Sequence, residues 1–462
     1  MWKLGFVSLF LTLVGLSGCG SDSKTSEPVT EPSAASRPAL KIWIVDAPEL
    51  EKEISVRWQA ASDQSLKIEN LSSDAIGSRQ PFVADVVIYP GLLLGDLVQK
   101  DVISRLPNLA IAKRETDETE VVGNETRGPL WPSRWRQIAS YGGHLYAVPM
   151  GAANLGVGLA GLDSSPFEEL DKVLSNRDLN ALSMEQWTRF VKEAESALAA
   201  SAVERKEKLQ TYLSKISPEE KAWLVDRFLF IGSTTNARSR GLFNLLKMES
   251  RLNQPDFSNS AKILSQLARL FPDTIAVDPA KAWELAAFNT EGTATFAVGW
   301  PRPLGGTTSE STQKVKVVPL TWNPGRGLIA SMGKKTRQTA VSCQFLVWLS
   351  EPNQREAFRA VCPSVELAPE QNDRSSVRDD YRAYQSINSR DTRIEPMELS
   401  LRMANANQYR VILADCLVSA IREPDKIDAN LSDCSAKWDQ LTVKLGVDSQ
   451  RISEEQSLGF RK

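Results

Sequence analysis

The side chains best suited to chemistry in this sequence are aromatic rather than nucleophilic. Twelve tryptophans occur in 462 residues, and Trp43, Trp131, Trp135, Trp300 and Trp322 fall at strand ends or in loops rather than inside helical apolar stripes. An indole presents a flat face that stacks on other rings or on apolar C–H surfaces, and its N–H donates one hydrogen bond. Tyr89, closing the run ADVVIYP, has a similar face with a hydroxyl. A single tryptophan is more often core than platform, so these six residues form a pool of candidate ligand contacts, with Trp300 in VGWPRP the best placed.

Catalytic signatures are missing. No G-x-S-x-G elbow, phosphate-binding Walker loop or H-E-x-x-H run occurs, and the single histidine, His144, has no sequence partner. Gly156, Gly158 and Gly161 in GVGLAG match the spacing of a dinucleotide fingerprint, but they lie within an extended run instead of opening a helix, so the match reads as coincidence. Carboxylates such as Asp163, Glu168 and Glu169 read as solvated helix starts. The expectation is a protein without catalytic residues, metal ligands or cofactor. With 55 Lys plus Arg against 57 Asp plus Glu, no bulk field favours nucleic acid as a partner.

The elements that would position the aromatics alternate at first. KIWIVDAPELEKEISVRWQAAS reads as strand then helix, SLKIENLS and ADVVIYP as strands, and GLLLGDLVQKDVISRLP as a helix, a pattern of βαβ units around a mainly parallel sheet. Residues 112–128 read as an exposed loop. GGHLYAVPMGAANLGVGLAG contains two extended runs separated by small residues, which tolerate the dihedral changes of a hinge. A helical block follows over 164–288, with capping boxes at Ser183/Gln186 and Ser217/Glu220. TATFAVGWP and KVKVVPLT are further strands. KKTRQTAVSCQFLVWLSEP is an amphipathic helix, and more helices fall near 352–361, 379–386, 398–421 and 431–445.

Five cysteines are present. Cys343, Cys362, Cys416 and Cys434 form an even set that suggests disulfides in an exported chain, the preferred pairing being 343 with 362 and 416 with 434. Buried free thiols are the alternative; zinc is disfavoured because no C-x-x-C occurs. Cys19 stands apart, behind the apolar stretch Leu4–Leu16, which is too short for a bilayer core that takes about 20 residues but suits an export signal.

Leu16, Ser17, Gly18 and Cys19 resemble the lipobox of bacterial lipoproteins. The resemblance implies that residues 1–18 are a signal peptide and that Cys19 is lipidated. Residues 19–39, rich in Ser, Thr, Pro and Glu, would then form a disordered tether to a membrane facing the periplasm or cell exterior. Gly20 leaves the choice of membrane open.

The order of the later elements resembles the family 1 extracellular solute-binding proteins, the maltose-binding-protein-like receptors of ABC importers. Four stretches carry it: ADVVIYPGLLLGDLVQKDVISRLP, YGGHLYAVPMG, AWELAAFNTEGTATFAVGWP and PGRGLIASMGKKTRQTAVSCQFLVWLSEPNQREAF. The resemblance implies an α/β, two-lobed periplasmic-binding-protein-like (type II) fold with a cleft between lobes and extra C-terminal helices. Lobe 1 would comprise 40–148 plus 300–326 and lobe 2 149–299 plus 327–364, with a helical region at 365–462. The chain would cross near 149–155, 297–302 and 324–330, hinging at Pro149, Gly151, Pro301 and Gly327. It further implies a monomer that closes on a small solute, a carbohydrate, and delivers it to ABC permease subunits. LGVGLAGLDSS stands where the family carries polar ligand contacts. That departure leaves room for an alternative, a binding-protein fold used as a structural or sensory lipoprotein without a transporter.

Overall fold

The computed structural model describes residues 38–78, 81–106, 133–151, 155–160, 183–233, 241–275, 277–287, 295–300, 316–322, 326–365 and 399–460. Cys19, Trp131 and Pro301 lie outside the described residues, as do the expected signal peptide and nearly all of the expected tether.

The first lobe is built on a five-stranded sheet. β1 (Leu40–Val45) runs parallel to β2 (Leu66–Leu71) and β3 (Val86–Pro90), with α1 (Leu50–Ala61), α2 (Ser73–Ser78) and α3 (Leu94–Gln99) in the connections. α4 (Ser133–Ala139) leads into the hairpin of β4 (Ser140–Tyr141) and β5 (His144–Leu145), and then β6 (Ala147–Pro149) returns to the sheet edge. Because side chains alternate across a strand, Ile42, Ile44 and Ile88 meet α1 on one face while Trp43, Val45 and Val87 meet Leu94 and Leu97 of α3 on the other. Coverage on both faces explains why β1 and β3 read as nearly unbroken apolar runs, whereas β2 at the sheet edge, LKIENL, is only partly buried.

The second lobe holds a three-stranded antiparallel sheet of β7 (Leu155–Ala160) between β10 (Thr295–Gly299) and β11 (Lys316–Trp322). Around it pack α5 (Met184–Ala197), α6 (Ala202–Lys215), α7 (Pro218–Ser233), α8 (Pro255–Leu270), α9 (Pro272–Ile275) and α10 (Pro279–Ala287), with a hairpin of β8 (Phe243–Asn244) and β9 (Glu249–Ser250) between α7 and α8. Both capping boxes form, at Ser183/Gln186 and at Ser217/Glu220. Gly156 and Gly158 lie inside β7 opposite β10, and a Cβ on Gly158 would come 2.9 Å from the Trp283 ring of α10. Gly156 and Gly158 are strand residues there, and the missing side chain of Gly158 makes room for a tryptophan.

β12 (Leu328–Met332) then rejoins the first sheet, antiparallel to both β3 and β6, followed by α11 (Thr339–Leu349) and α12 (Pro352–Val361); Phe345 and Trp348 of α11 pack edge-on to Trp58 of α1, and Phe358 of α12 packs edge-on to Trp348. Two expected segments therefore change places: 316–322 belongs to the second lobe and 328–361 to the first. The strands flanking the crossing expected near 297–302, β10 and β11, both pair with β7 and so belong to one sheet. Strand alternation specifies a face but not which sheet a strand joins, and hydrogen-bond pairing decides that. The observed passages fall between β6 and β7, between β11 and β12, and between α12 and the C-terminal helices.

Those helices are no appendage. α13 (Ala406–Arg422) and α14 (Ile427–Leu445) bury Tyr409, Leu413, Leu417 and Trp438 in the same core as α7 and α8, so 406–445 completes the second lobe. α15 (Val447–Ser457) instead fastens to the first lobe. Tyr141 donates to the Ser453 carbonyl, the Gly142 amide to the Gln456 carbonyl, and Gln99 to the Ser449 hydroxyl. The turn before α13 does the same: Arg402 donates to the carbonyls of Gln137, Ile138 and Ser140, and the Asn405 amide to Asp96.

The expected disulfides are absent, and Cys343, Cys362, Cys416 and Cys434 are all free thiols. Cys362 shares a hydrogen bond with the Ser364 hydroxyl rather than facing Cys343, whereas Cys416 and Cys434 share a hydrogen bond across α13 and α14. Among the described residues no helix is long and apolar enough to cross a membrane, and no His, Cys, Asp and Glu group is placed to hold a metal ion.

Candidate functional site

The passages between lobes bring together the ends of β6, β7, β10 and β11 and the start of β12. Pro149 pairs with Ile329, the Met150 amide donates to the Leu328 carbonyl at 2.8 Å, and Gly151 is buried. The Gly327 carbonyl accepts from the Gly91 amide at 2.9 Å, fixing the residue before β12 against the first lobe. Three of the four expected hinge residues thus lie at this junction.

Trp300 arrives here from the end of β10. Its amide donates to the Pro279 carbonyl at 3.2 Å, an approach that Gly299 permits, since a Cβ there would stand 2.3 Å from the same oxygen. The indole stands edge-on to Trp223 of α7, with centroids 5.6 Å apart and planes at 88°. Its Nε1 is buried without a hydrogen-bond partner. A buried donor left unmade costs about 1–3 kcal/mol, so it marks a place where an acceptor is wanted.

One helical turn beyond Trp223, Asp226 presents its carboxylate on the same face. Arg326, immediately before Gly327, donates Nε to Asp226 Oδ2, while Arg410 of α13 donates Nη2 to Oδ1. The Arg326 guanidinium lies 4.3 Å above the Trp223 ring, a cation–π contact. Asp226 and Arg410 are almost fully buried, whereas the Arg326 side chain keeps 13% of its surface. Burial holds the Arg410 pKa below its ordinary value; Asp226 opposes that shift and the like charge of Arg326 adds to it. Arg227, next along α7, turns away and donates Nη2 to the Val277 carbonyl at 2.7 Å and Nε to the Val298 carbonyl at 3.2 Å. Its pKa is pushed down to about 10 by burial, with Asp278 and Asp226 opposing.

The arrangement is one of walls and donors. Two indoles at right angles form an apolar corner, and guanidinium and indole N–H groups surround it. Among the described residues the corner holds no nucleophile, and its carboxylate is engaged by two arginines; walls and donors of this kind can hold a small molecule.

Of the sequence candidates, Trp300 joins this corner. Trp43 does not: it is 2% exposed, packs edge-on against Phe82 at 4.7 Å and donates Nε1 to Glu69. Tyr89 is also core, fully buried with its hydroxyl 2.7 Å from that of Ser331. Both sit on strands covered on each face, where an aromatic is core whichever way it points. Trp322 ends β11 with its backbone opposite Leu155, and Trp135 lies in α4. Sequence reasoning missed Trp223, Asp226, Arg326 and Arg410. Asp226 and Arg227 carried a signal, being an adjacent charged pair inside the apolar run LVDRFLFIG.

No protein-family model matches the chain, and no curated protein matches it. Solved structures do. The sugar-binding protein MalE from the phytopathogen Xanthomonas citri superimposes with a TM-score of 0.54 at 12% identity, covering 88% of this chain and 98% of that one. An ABC transporter solute-binding protein from Agrobacterium radiobacter in complex with ribitol gives 0.53 at 12% identity, covering 87% and 98%. Maltose-bound MalE3 of T. maritima gives 0.52 at 13%, covering 87% and 100%. The fold is therefore that of the two-lobed, maltose-binding-protein-like solute-binding proteins.

Proposed function

We propose that this protein is an extracytoplasmic solute-binding protein that captures a small polyhydroxylated molecule, a carbohydrate or polyol, between its lobes and delivers it to an ABC importer. The observation that carries the reading is the Trp223–Trp300 corner with its unpaired indole N–H at the junction of the lobes. Maltose, ribitol and D-mannitol in structures of the same fold support the solute class. The protein acts by binding, without catalysis or cofactor, and as a monomer. Closure follows from any solute that contacts both lobes, because differential affinity for the closed state shifts the equilibrium. Export and anchoring rest on the segment through Cys19, whose lipid would keep the receptor near its permease. Pro149, Gly151 and Gly327 serve as the hinge, and Trp131, Trp135 and Trp322 remain candidate ligand contacts.

A second reading, a structural or sensory lipoprotein without a transporter, is favoured by the fastening of α15 and the 402–405 turn to the first lobe, which ties together the two bodies that would have to move.

The test is thermal unfolding of the purified protein with maltose, ribitol, mannitol and other sugars and polyols. A bound solute stabilises by about 2.7 kcal/mol at about a hundred times its Kd. A shift abolished by Trp300→Ala supports the receptor reading. Cooperative melting unmoved by every compound would support the transporter-free alternative.

A further inference from the structure

The hydrogen-bonding inventory of the interlobe corner is one-sided. Both oxygens of Asp226 are occupied, Oδ2 by Arg326 and Oδ1 by Arg410. The groups left over are donors: Nε1 of Trp300 and Nη1 of Arg410 are buried without partners. The hydrogen bond from Arg326 to Asp226 uses Nε, and among the described residues no acceptor meets its Nη1 or Nη2. Indole and guanidinium nitrogens donate and never accept, so among the described residues a neutral hydroxyl meets several free donors for its oxygen and, for its proton, only the remaining lone pairs of an Asp226 already held by two arginines. An ionised carboxylate only accepts, and it answers this surplus of donors better than a hydroxyl does.

Charge points the same way. Among the described residues, one carboxylate between two guanidiniums leaves a positive charge unbalanced, and Arg410 senses Arg326 as a like charge. We propose that Arg326 is the specificity residue of this site and that the captured solute carries a carboxylate, as in a sugar acid. The proposal rests on the solute-binding reading above and names its substrate class.

The geometry of Arg326 suits the task. Its Nε edge is held by Asp226 and its plane rests over Trp223, so the guanidinium is fixed before a solute arrives. The Nη1/Nη2 edge then forms a two-pronged fork matching the spacing of carboxylate oxygens. With 13% of its side chain exposed, Arg326 can be reached, whereas Arg410 at 3% remains behind it as a counter-charge to Asp226. Trp300 Nε1 supplies a further donor, and the corner of Trp223 and Trp300 offers ring faces to the apolar side of the sugar.

The experiment is calorimetric titration of the purified protein with D-galacturonate and D-glucuronate, and with D-galactose and D-glucose as neutral counterparts, each also tested as its disaccharide. The acids should bind at least about tenfold tighter than the neutral sugars, a charge-assisted pair being roughly twice as strong as a neutral one. Arg326→Gln should remove that preference, the acids then binding no tighter than their neutral counterparts. Arg326→Lys keeps the charge but not the fork and should retain only part of the preference. It also serves as the readout if Arg326→Gln no longer melts cooperatively. Neutral sugars binding as well as acids, or a preference that survives both variants, would overturn the proposal and leave the solute-binding reading standing. Binding of neither class by well-folded protein would overturn the proposal and count against that reading too.

Discussion

The hydroxyl of Tyr141, in the first lobe, donates to the carbonyl of Ser453 at 2.8 Å and lies 2.6 Å from the Ser453 hydroxyl, although the two residues are 312 positions apart. Burial drives the Tyr141 pKa well above its ordinary value, so it remains a neutral donor through the physiological range. Tyr141→Phe removes the donor and leaves the Ser453 groups short of a partner. The expected cost is about 1–2 kcal/mol, with faster amide exchange over 447–457 than elsewhere in the protein.

Gly299→Ala is expected to be costly. The new Cβ would sit 2.3 Å from the Pro279 carbonyl oxygen and 3.3 Å from the Trp283 amide nitrogen, and both are backbone atoms that yield only if α10 or β10 moves. A loss of about 1–3 kcal/mol follows from such overpacking. Because Trp300 is the next residue, binding of any solute held at that corner should weaken along with stability, which titration of the folded fraction would show.

Asp226→Asn should be among the most damaging single changes, about 3–5 kcal/mol, because it strands the buried cation of Arg410 beside Arg326. Adding Arg410→Met to that variant removes one unbalanced charge. Urea denaturation should then show the double variant more stable than Asp226→Asn alone.

Acid sensitivity can be assigned at one position. Asp428, at the start of α14, accepts from the Ser258 hydroxyl and from Lys262 Nζ at 3.2 Å, and these bonds hold its pKa below the ordinary 3.8. A carboxyl whose folded pKa is depressed contributes stability in full above its unfolded value and loses it as pH falls through the folded one. Melting temperatures of wild type and Asp428→Asn should therefore differ by a constant amount near neutrality and converge below pH 3.8.

Thiol reactivity should rank by access. Cys343 is the one partly exposed thiol among the four described, and Cys362, Cys416 and Cys434 are buried. Burial also raises the Cys362 pKa, which suppresses its thiolate. Timed alkylation with iodoacetamide followed by peptide mapping should modify Cys343 first and Cys362 only as the protein unfolds.

Much of this fold was legible because the sequence carried local signals for it. The runs KIWIV and DVVIYP are too apolar for a half-solvated strand, and the capping pairs at Ser183 and Ser217 announced their helices. Sheet membership was not legible: LIASM of β12 is buried along its whole length and would suit either lobe, and only its pairing with β3 and β6 assigns it. At the site, Trp300 was readable from its place after a strand and before a proline. Arg410 was not, since its partner Asp226 is 184 residues away and its own helix gives it no mark. Trp43 and Tyr89 misled for the opposite reason, because aromatic type at a strand end says nothing about the helices that cover it.

Gly446, with φ +93°, is the single residue between α14, packed in the second lobe, and α15, bonded to the first. A joint of one residue has no slack. If the lobes swing, the stroke at that edge is limited by how far one pair of backbone dihedrals can turn before α15 is peeled from Tyr141, so the travel of the whole molecule is metered at its tail rather than at its cleft.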